Sequence, residues 1–452
     1  MRLTIDVAAA LDARPLGRYR LGVILCCFAV QILDGVDVNA LAFVAPTLAR
    51  QFHATPAEIG PIFGIGFFGM LIGNSLVGGL ADRFGRKRLI VASCVVFGAL
   101  TLGVAAAGSL RQLMVLRFLA GIGLGGALPN VVALTGAFAP RRLRGTAIGI
   151  IYSGIPLGSV IGGLVAAPLV PRFGWPVIFI VGGILPLIAA AVLARVMPES
   201  ILFLAVVRKD AARVARLLRR IDPQGDYPED AAYRVAEPRQ DGVPVRRLFA
   251  EGRGRATLLL WSIVLADLLC LHFLFSWTTT ILRQTGLPLA TAILLSTLVA
   301  GSSVVCTFAV GPLMDRYGVY PVAIAQFSIG TFGLVLAGLA GPHLVVLVAA
   351  QIIASMMLAS GPVSTGAMAV QLYPTAIRST GIGWALGAGR SGSIIGPMLG
   401  GLVLAFAMPG LNPVYLVIAP FGLVAAIMTV ILARQTRRAG RARPLHPASS
   451  TP

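Results

Sequence analysis

GGLADRFGRK, residues 78–87, returns in weaker form as GPLMDRYGVY at 311–320, which sets Asp82 and Asp315 233 residues apart. FAPRRLRGT at 138–146 is echoed by LYPTAIRST at 372–380, and GSVIGG at 158–163 by GSIIGP at 392–397, both at an offset of 234. Three matches within one residue of the same spacing divide the chain into two homologous halves. Duplicated halves can rock against each other around a fixed site, the arrangement that alternating-access transport needs.

What each half is made of follows from composition. The 452 residues are 57% hydrophobic and only 12% charged, whereas a soluble chain of this length would carry far more charge in two or three domains. Apolar windows long enough to cross a bilayer predict spans at 20–48, 57–80, 89–108, 112–138, 145–170 and 175–197. Six more follow at 256–282, 290–313, 319–340, 343–371, 380–405 and 411–433. The expected fold is an all-α polytopic membrane protein of about twelve transmembrane helices in two pseudo-symmetric six-helix bundles. Its parts are a first half at 1–197, a central loop at 198–255, a second half at 256–433 and a tail at 434–452. The opening MRLTIDVAAALDARPLGRYR mixes acids with arginines and has no apolar core, so it reads as a short cytosolic lead-in rather than a signal.

The net charge of +20 does not point to nucleic acid, because the cations sit in short breaks between spans and in the tails. Arg83, Arg86, Lys87 and Arg88 follow span two, Arg141, Arg142 and Arg144 follow span four, and Arg434, Arg437 and Arg438 follow span twelve. The opposite loops hold isolated cations only, Arg50, Arg111, Arg172 and Arg283. Both termini and the central loop are therefore expected on the cytoplasmic side. Within that loop VRKDAARVARLLRR, 207–220, suits a basic amphipathic helix touching anionic lipid headgroups. The five cysteines lie inside predicted spans without CxxC spacing and read as thiols. With no catalytic motif in a usable context, the expectation is no enzyme, no cofactor and no metal.

QILDGVDVNALAF, 31–43, carries Asp34 and Asp37 inside the first span. A carboxylate at mid-membrane costs roughly 2.5–3.5 kcal/mol on insertion scales, so it must pair, face water or hold a proton. Spaced i, i+3, the two share a helix face. Either acts as a proton carrier, or Asp37 forms a structural ion pair with Arg117 of span four, which lies at a matching depth. In span eleven, GAGRSGS sets Arg390 among small residues, where a guanidinium can grip a carboxylate with two hydrogen bonds. Asp267, the repeat mate of Asp34, lies at a depth to exchange with it: paired with Arg390 when empty, released when a substrate carboxylate arrives. His272, one turn further, is a proton relay or a packing residue. Tyr152 and Trp384 are candidates to stack on a ring, while Phe273 and Trp277 read as packing. Gly78, Asp82, Arg83, Gly85 and Arg86, with Asp315 and Arg316 in the second copy, read as a conformational latch.

The paired loops, and RFLAGIGLGGALPN with Arg117, Gly121 and Gly125, resemble the signatures of the major facilitator superfamily. LDGVDVNALAFVAPTLARQF, ALPNVVALTGAFAPRRLRGTA, MPES at 197–200, FSWTTTILRQTG and GAGRSGSIIGP together are similar to the aromatic acid:proton symporter family. That resemblance implies import of benzoate, hydroxybenzoate or phenylpropionate-type acids into bacteria through the inner membrane. It also implies that Asp34 and Asp37 are needed for transport. The chain departs from the family at Ser276-Trp277-Thr278-Thr279-Thr280, where a proline is usual, and at Asp267 and His272. The expected partners are a small aromatic carboxylate, the proton and membrane lipid, with the chain a monomer. A proton-driven exporter of amphipathic compounds is the alternative, though SGIPLGSVIGG lacks its glycine–proline signature; a membrane sensor ranks lower.

Overall fold

Stretches this apolar satisfy their backbone in a membrane only by coiling into helices. The computed structural model describes residues 4–208, 210–234, 245–374, 377–406 and 413–442. A strand β1 (Thr4–Asp6) and short α1 (Val7–Asp12) lead into α2 (Arg18–Gln51), α3 (Pro56–Phe84), α4 (Arg86–Ala105), α5 (Leu110–Phe138), α6 (Arg144–Phe173) and α7 (Pro176–Val196). The central stretch holds a short α8 (Ile201–Phe203), α9 (Ala211–Ile221) and β2 (Ala232–Arg234). Then come α10 (Gly254–Gln284), α11 (Leu289–Tyr317), α12 (Val319–Leu339), α13 (Leu344–Ala359), α14 (Gly361–Leu372), α15 (Arg378–Ala405) and α16 (Pro413–Ala442). Among the described residues, eleven helical stretches, α13 and α14 counted together, are long and apolar enough to cross a membrane. The 28-residue α15, a continuous helix whose apolar run is interrupted by Arg390, is the twelfth long helix of the described residues. The chain is a multi-pass membrane protein.

The sequence repeat is a structural repeat. Helices α3 and α4 start at Pro56 and Arg86 and α11 and α12 at Leu289 and Val319, 233 residues later in each case. The starts of α5 and α6 recur 234 residues on, at Leu344 and Arg378. Even the tight junctions match: Gly85 has φ 95° and Gly318 φ 90°, a region that L side chains resist. One element differs in kind. Span ten, expected as one helix over 343–371, breaks at Ser360 into α13 and α14. Gly361 weakens the helix there and Pro362 cannot donate its missing N–H, whereas Ala127 and Leu128, at the matching place in α5, keep that helix continuous.

Contacts cluster into two compact units. The first comprises Met1–Gln240, Phe275–Val304 and Pro397–Ala405; the second comprises Asp241–Leu274, Val305–Gly396 and Phe406–Pro452. In the first, α3 and α5 cross backbone to backbone: a Cβ on Gly73 would lie 2.1 Å from the Ile122 carbonyl, and one on Gly125 2.1 Å from that of Met70. Such small-residue crossings replace the hydrophobic drive that lipid removes. Helices α2 and α6 cross in the same way at Gly35 and Gly158. The end of this unit remote from the basic loops is tightly shut. Trp277 Nε1 donates to the Pro397 carbonyl at 2.8 Å, its ring lies 5.6 Å from that of Phe63, and a Cβ on Gly401 would meet the Pro56 carbonyl at 2.4 Å. Gly401→Val therefore has to displace Pro56 or Trp277. Overpacking of this kind costs about 1–3 kcal/mol, roughly 5- to 150-fold in the ratio of shut to open forms. A cysteine placed at Thr297, which touches Gly163 in the same region, should react correspondingly faster with an impermeant thiol reagent in that variant. Equal rates would show that this packing does not close the end.

The N-terminal segment is tied to the basic end. Arg20, 1% exposed, donates to the carbonyls of Phe138 (2.7 Å), Leu11 (3.0 Å) and Arg14 (3.1 Å). In α9, Val214, Ala215 and Leu218 are buried and the arginines point away, so the predicted amphipathic helix forms. Strands β1 and β2 pair in parallel, Thr4 opposite Ala232. Asp222 joins these pieces, meeting Arg14 Nε at 2.9 Å and accepting from the Tyr227 hydroxyl at 3.1 Å. Burial pushes its carboxyl up, but Tyr227, Arg14 and the Gln224 N–H outweigh that and hold it below the ordinary value. A carboxyl depressed in the folded state stabilises above its unfolded value, about 3.9, and that contribution is lost as pH falls through the folded value. Acidification from about pH 5 to pH 3 should therefore lower the amide protection factors of residues 4–14 and 222–234, and Asp222→Asn should flatten the response. Constant protection over that range would contradict it.

Candidate functional site

Two of the four acids in predicted spans lie one helical turn apart on α2. Asp34 and Asp37 are 1% and 0% exposed. Asp37 is fully bonded: Arg117 Nη1 of α5 lies 2.9 Å from Oδ2, Thr101 Oγ1 of α4 donates to Oδ1 at 2.9 Å, and Arg117 Nη2 reaches the Asp37 carbonyl at 3.4 Å. The guanidinium lies 5.9 Å from the Phe179 ring centre in α7, so four helices meet at this charge. The Asp37–Arg117 contact expected from matching depths is present. Asp34 sits one turn earlier, within electrostatic reach of Cys94 on α4. Beside it Gln31, 0% exposed, has no hydrogen-bond partner for its amide among the described residues, nor does the Ser159 hydroxyl of α6. That face of α2 thus holds polar capacity the protein itself does not use.

In the second unit α15 divides its glycines between two faces. Cβ atoms on Gly392 and Gly396 would strike the Leu265 and Leu269 carbonyls of α10 at 2.1 and 2.3 Å. Gly383 and Gly387 have nothing within 4 Å, and Arg390, seven and three residues on, shares their face. The guanidinium therefore has room around its base. On α6, Gly145 and Gly149 are likewise open and half-exposed Tyr152 follows on the same face, one turn out of register with the repeat, which sets Pro156 opposite Arg390. Trp384, 47% exposed, stacks on Trp261 at 6.1 Å and 17°, leaving one ring face available. Phe273 packs edge-on against Tyr415, and Trp277 is buried, so both are packing residues as expected. His272 Nδ1 lies 2.9 Å from the Leu268 carbonyl of its own helix. Asp267 departs from expectation. Rather than accepting from Arg390, its two oxygens have no hydrogen-bond partner among the described residues, and the side chain lies against Gly361. The glycine crossing of α15 with α10 fixes the backbones there, whereas the Arg390 position lies on the helix face of the open Gly383 and Gly387.

Of the latch residues, Gly78 and the side chain of Asp82 lie outside the described residues. Arg83, Asp315 and Arg316 are exposed, and Arg83 and Arg316 lie over the neighbouring rings of Phe84 and Tyr317. Gly85 and Arg86 meet a residue that sequence reasoning missed. The Glu199 carboxylate accepts from the N–H groups of Arg86 (2.9 Å) and Lys87 (3.1 Å), while Arg86 Nη1 donates to Ser200 Oγ (3.0 Å). A signal was available: Gly85 has no side chain to cap α4, so an acid from elsewhere had to satisfy that helix start. Glu199→Gln should lower thermal stability by about 0.5–2 kcal/mol, the usual worth of a cap. Gly85→Ala, whose Cβ would fall 2.3 Å from Glu199 Oε2, should add less than its full effect in that background, because both act on one contact. Additive losses would show that the two do not share it. Beside Glu199 an open pocket of about 740 Å³ is rimmed by Lys87, Arg88, Arg195, Arg213, Arg216 and Arg220.

Duplicated membrane helices with charges buried in mid-span define a protein built like the secondary transporters. The chain belongs to the Major Facilitator Superfamily, which it matches over residues 27–279 and 259–451. It is 35% identical over 406 residues to a 4-hydroxybenzoate transporter of Pseudomonas putida, covering 89% of this chain and 90% of that one. It is 34% identical over 405 residues to a gallate transporter of Pseudomonas putida, with 89% and 90% covered. Its fold is similar to that of a bacterial homologue of the human lysosomal transporter Spinster, at TM-score 0.75 and 18% identity, with 95% and 100% covered.

Proposed function

We propose that the protein imports an aromatic carboxylic acid together with protons across the inner membrane of a bacterium, its two homologous halves alternating access. The observation that carries this reading is the likeness, over 89% of the chain, to transporters of 4-hydroxybenzoate and gallate. Asp34 is the proton carrier nearer the site, and Asp37 with Arg117 couples its charge to movement of α2 against α4 and α5. Arg390 takes the substrate carboxylate in a forked, charge-assisted pair, and Trp384 or Tyr152 offers a face to the ring. His272 relays a proton or steadies α10 near Arg390. The basic end, with both termini and the central stretch, faces the cytoplasm, and its arginine-rimmed pocket meets anionic lipid. The protein works as a monomer.

The test is a stabilisation panel. Benzoate, hydroxybenzoates, protocatechuate and phenylpropionates should raise the melting temperature, while non-aromatic acids of equal charge should not. A preference for the non-aromatic acids would break the substrate assignment. Accumulation only in inverted vesicles would make the protein an exporter.

A further inference from the structure

Among the described residues Asp267 has neither an ion-pair partner nor a hydrogen-bond donor. The residue is 1% exposed and both oxygens are without a hydrogen-bond partner among the described residues. It is wedged against the break in span ten: a Cβ on Gly361, the first residue of α14, would lie 1.9 Å from Oδ2. A helix start normally offers free N–H groups to an anion. Here Pro362 has none, and the Val363 N–H bonds back to the Ser360 carbonyl.

The other polar groups of the break are committed to one another. Gln326 Nε2 donates to the Met357 carbonyl (2.8 Å) and Ser360 Oγ (3.0 Å), Ser364 Oγ donates to Gln326 Oε1, and Thr365 Oγ1 donates to the Gly361 carbonyl (3.0 Å). The titratable groups of the surrounding helices are few. On α10, His272 faces the Leu268 carbonyl and Cys270 the Ile418 carbonyl. Helix α15 brings Arg390, α11 the Cys306 thiol beside Ser360, and α16 Tyr415, bonded to Gln351. Tyr320 is the titratable residue of α12, and α13 and α14 contain none. A bare carboxylate in this setting costs several kcal/mol, and a neutral carboxyl avoids most of that.

We propose that Asp267 holds a proton at neutral pH and is a second proton-carrying group, housed in the second unit and discharged when the break between α13 and α14 admits water. Its use in transport rests on the symport reading above; its protonation does not. The contrast with Asp37 is physical: a carboxylate locked to a guanidinium is a fixed charge, whereas one with no partner can be neutral.

The first readout is infrared spectroscopy of the purified protein labelled with ¹³C-aspartate, in vesicles at neutral pH. A neutral-carboxyl stretch should be present in the wild type, and the component contributed by Asp267 should be missing from Asp267→Asn. No such band, or a band abolished by sodium, would overturn the proposal, the latter in favour of a metal-ion site. The second readout is transport. Asparagine mimics the neutral acid, so substrate exchange should persist in Asp267→Asn while the proton count per substrate falls by one. Under a gradient of one pH unit, steady accumulation should fall roughly tenfold. An unchanged count, or loss of exchange along with accumulation, would overturn the coupling role. If the wild type itself shows no proton-driven accumulation, the symport reading fails, and the infrared band still decides whether Asp267 is protonated.

Discussion

Asp37→Asn is expected to abolish substrate accumulation, and Asp37→Asn combined with Arg117→Gln is expected to regain stability without regaining transport. In the single variant a guanidinium only 6% exposed keeps its charge and loses its anion. Breaking a buried pair from one side typically costs about 3–5 kcal/mol, because the remaining charge is uncompensated. Neutralising both partners removes that penalty, so the double variant should unfold near the wild-type temperature. Transport separates the two roles of the pair. If Asp37 only braces α2 against α4 and α5, the stable double variant carries substrate; if its charge couples protons to movement, the double variant stays inactive. Asp34→Asn leaves no such orphan cation on α5 and should also lose accumulation, with the protein still in the membrane. Full active uptake by both single variants would remove the acids of α2 from the mechanism.

Arg390→Ala is expected to raise the KM for an aromatic carboxylate by roughly 10- to 100-fold, and Arg390→Lys by about tenfold. Hydrogen bonds to charged groups contribute about 1.5–3 kcal/mol each, and every 1.4 kcal/mol is a factor of ten. Lysine restores the charge but not the planar fork, so its rescue should be partial. The open face at Gly383 and Gly387 makes this more than a general sensitivity to substitution, since no neighbour rests there. The deciding control is the substrate's amide, which has the same ring and no charge. Its weak binding should be nearly unaffected by either substitution. Equal losses for acid and amide would mean that Arg390 supports the packing of α15 rather than the carboxylate.

The backbone of this account was legible in the sequence for a simple reason. Duplicated helices in lipid are specified by long apolar runs and by glycines at close crossings, and both are local signals. The offset of 233–234 anticipated the helix starts at Leu289, Val319, Leu344 and Arg378. Matching depth sufficed for Asp37 and Arg117, because two opposite charges facing the same interior have strong cause to meet. What depth could not supply was azimuth. Asp267 and Arg390 lie at similar depths, yet the glycine crossing of α10 with α15 holds the backbones together while Arg390 stands with the open glycines. The break in span ten was hidden because Ser360, Gly361 and Pro362 lie inside a run whose mean hydropathy still meets the requirement for a span. Glu199 was hidden differently: its partners are the N–H groups of Arg86 and Lys87, and backbone donors leave no trace in composition.

The most direct test places the purified protein in vesicles with labelled 4-hydroxybenzoate outside and imposes an inward proton gradient. The account predicts uptake beyond equilibrium that collapses when a protonophore discharges the gradient and that is absent in Asp34→Asn. Mere equilibration in the wild type, or concentration only when the gradient is reversed, would contradict it.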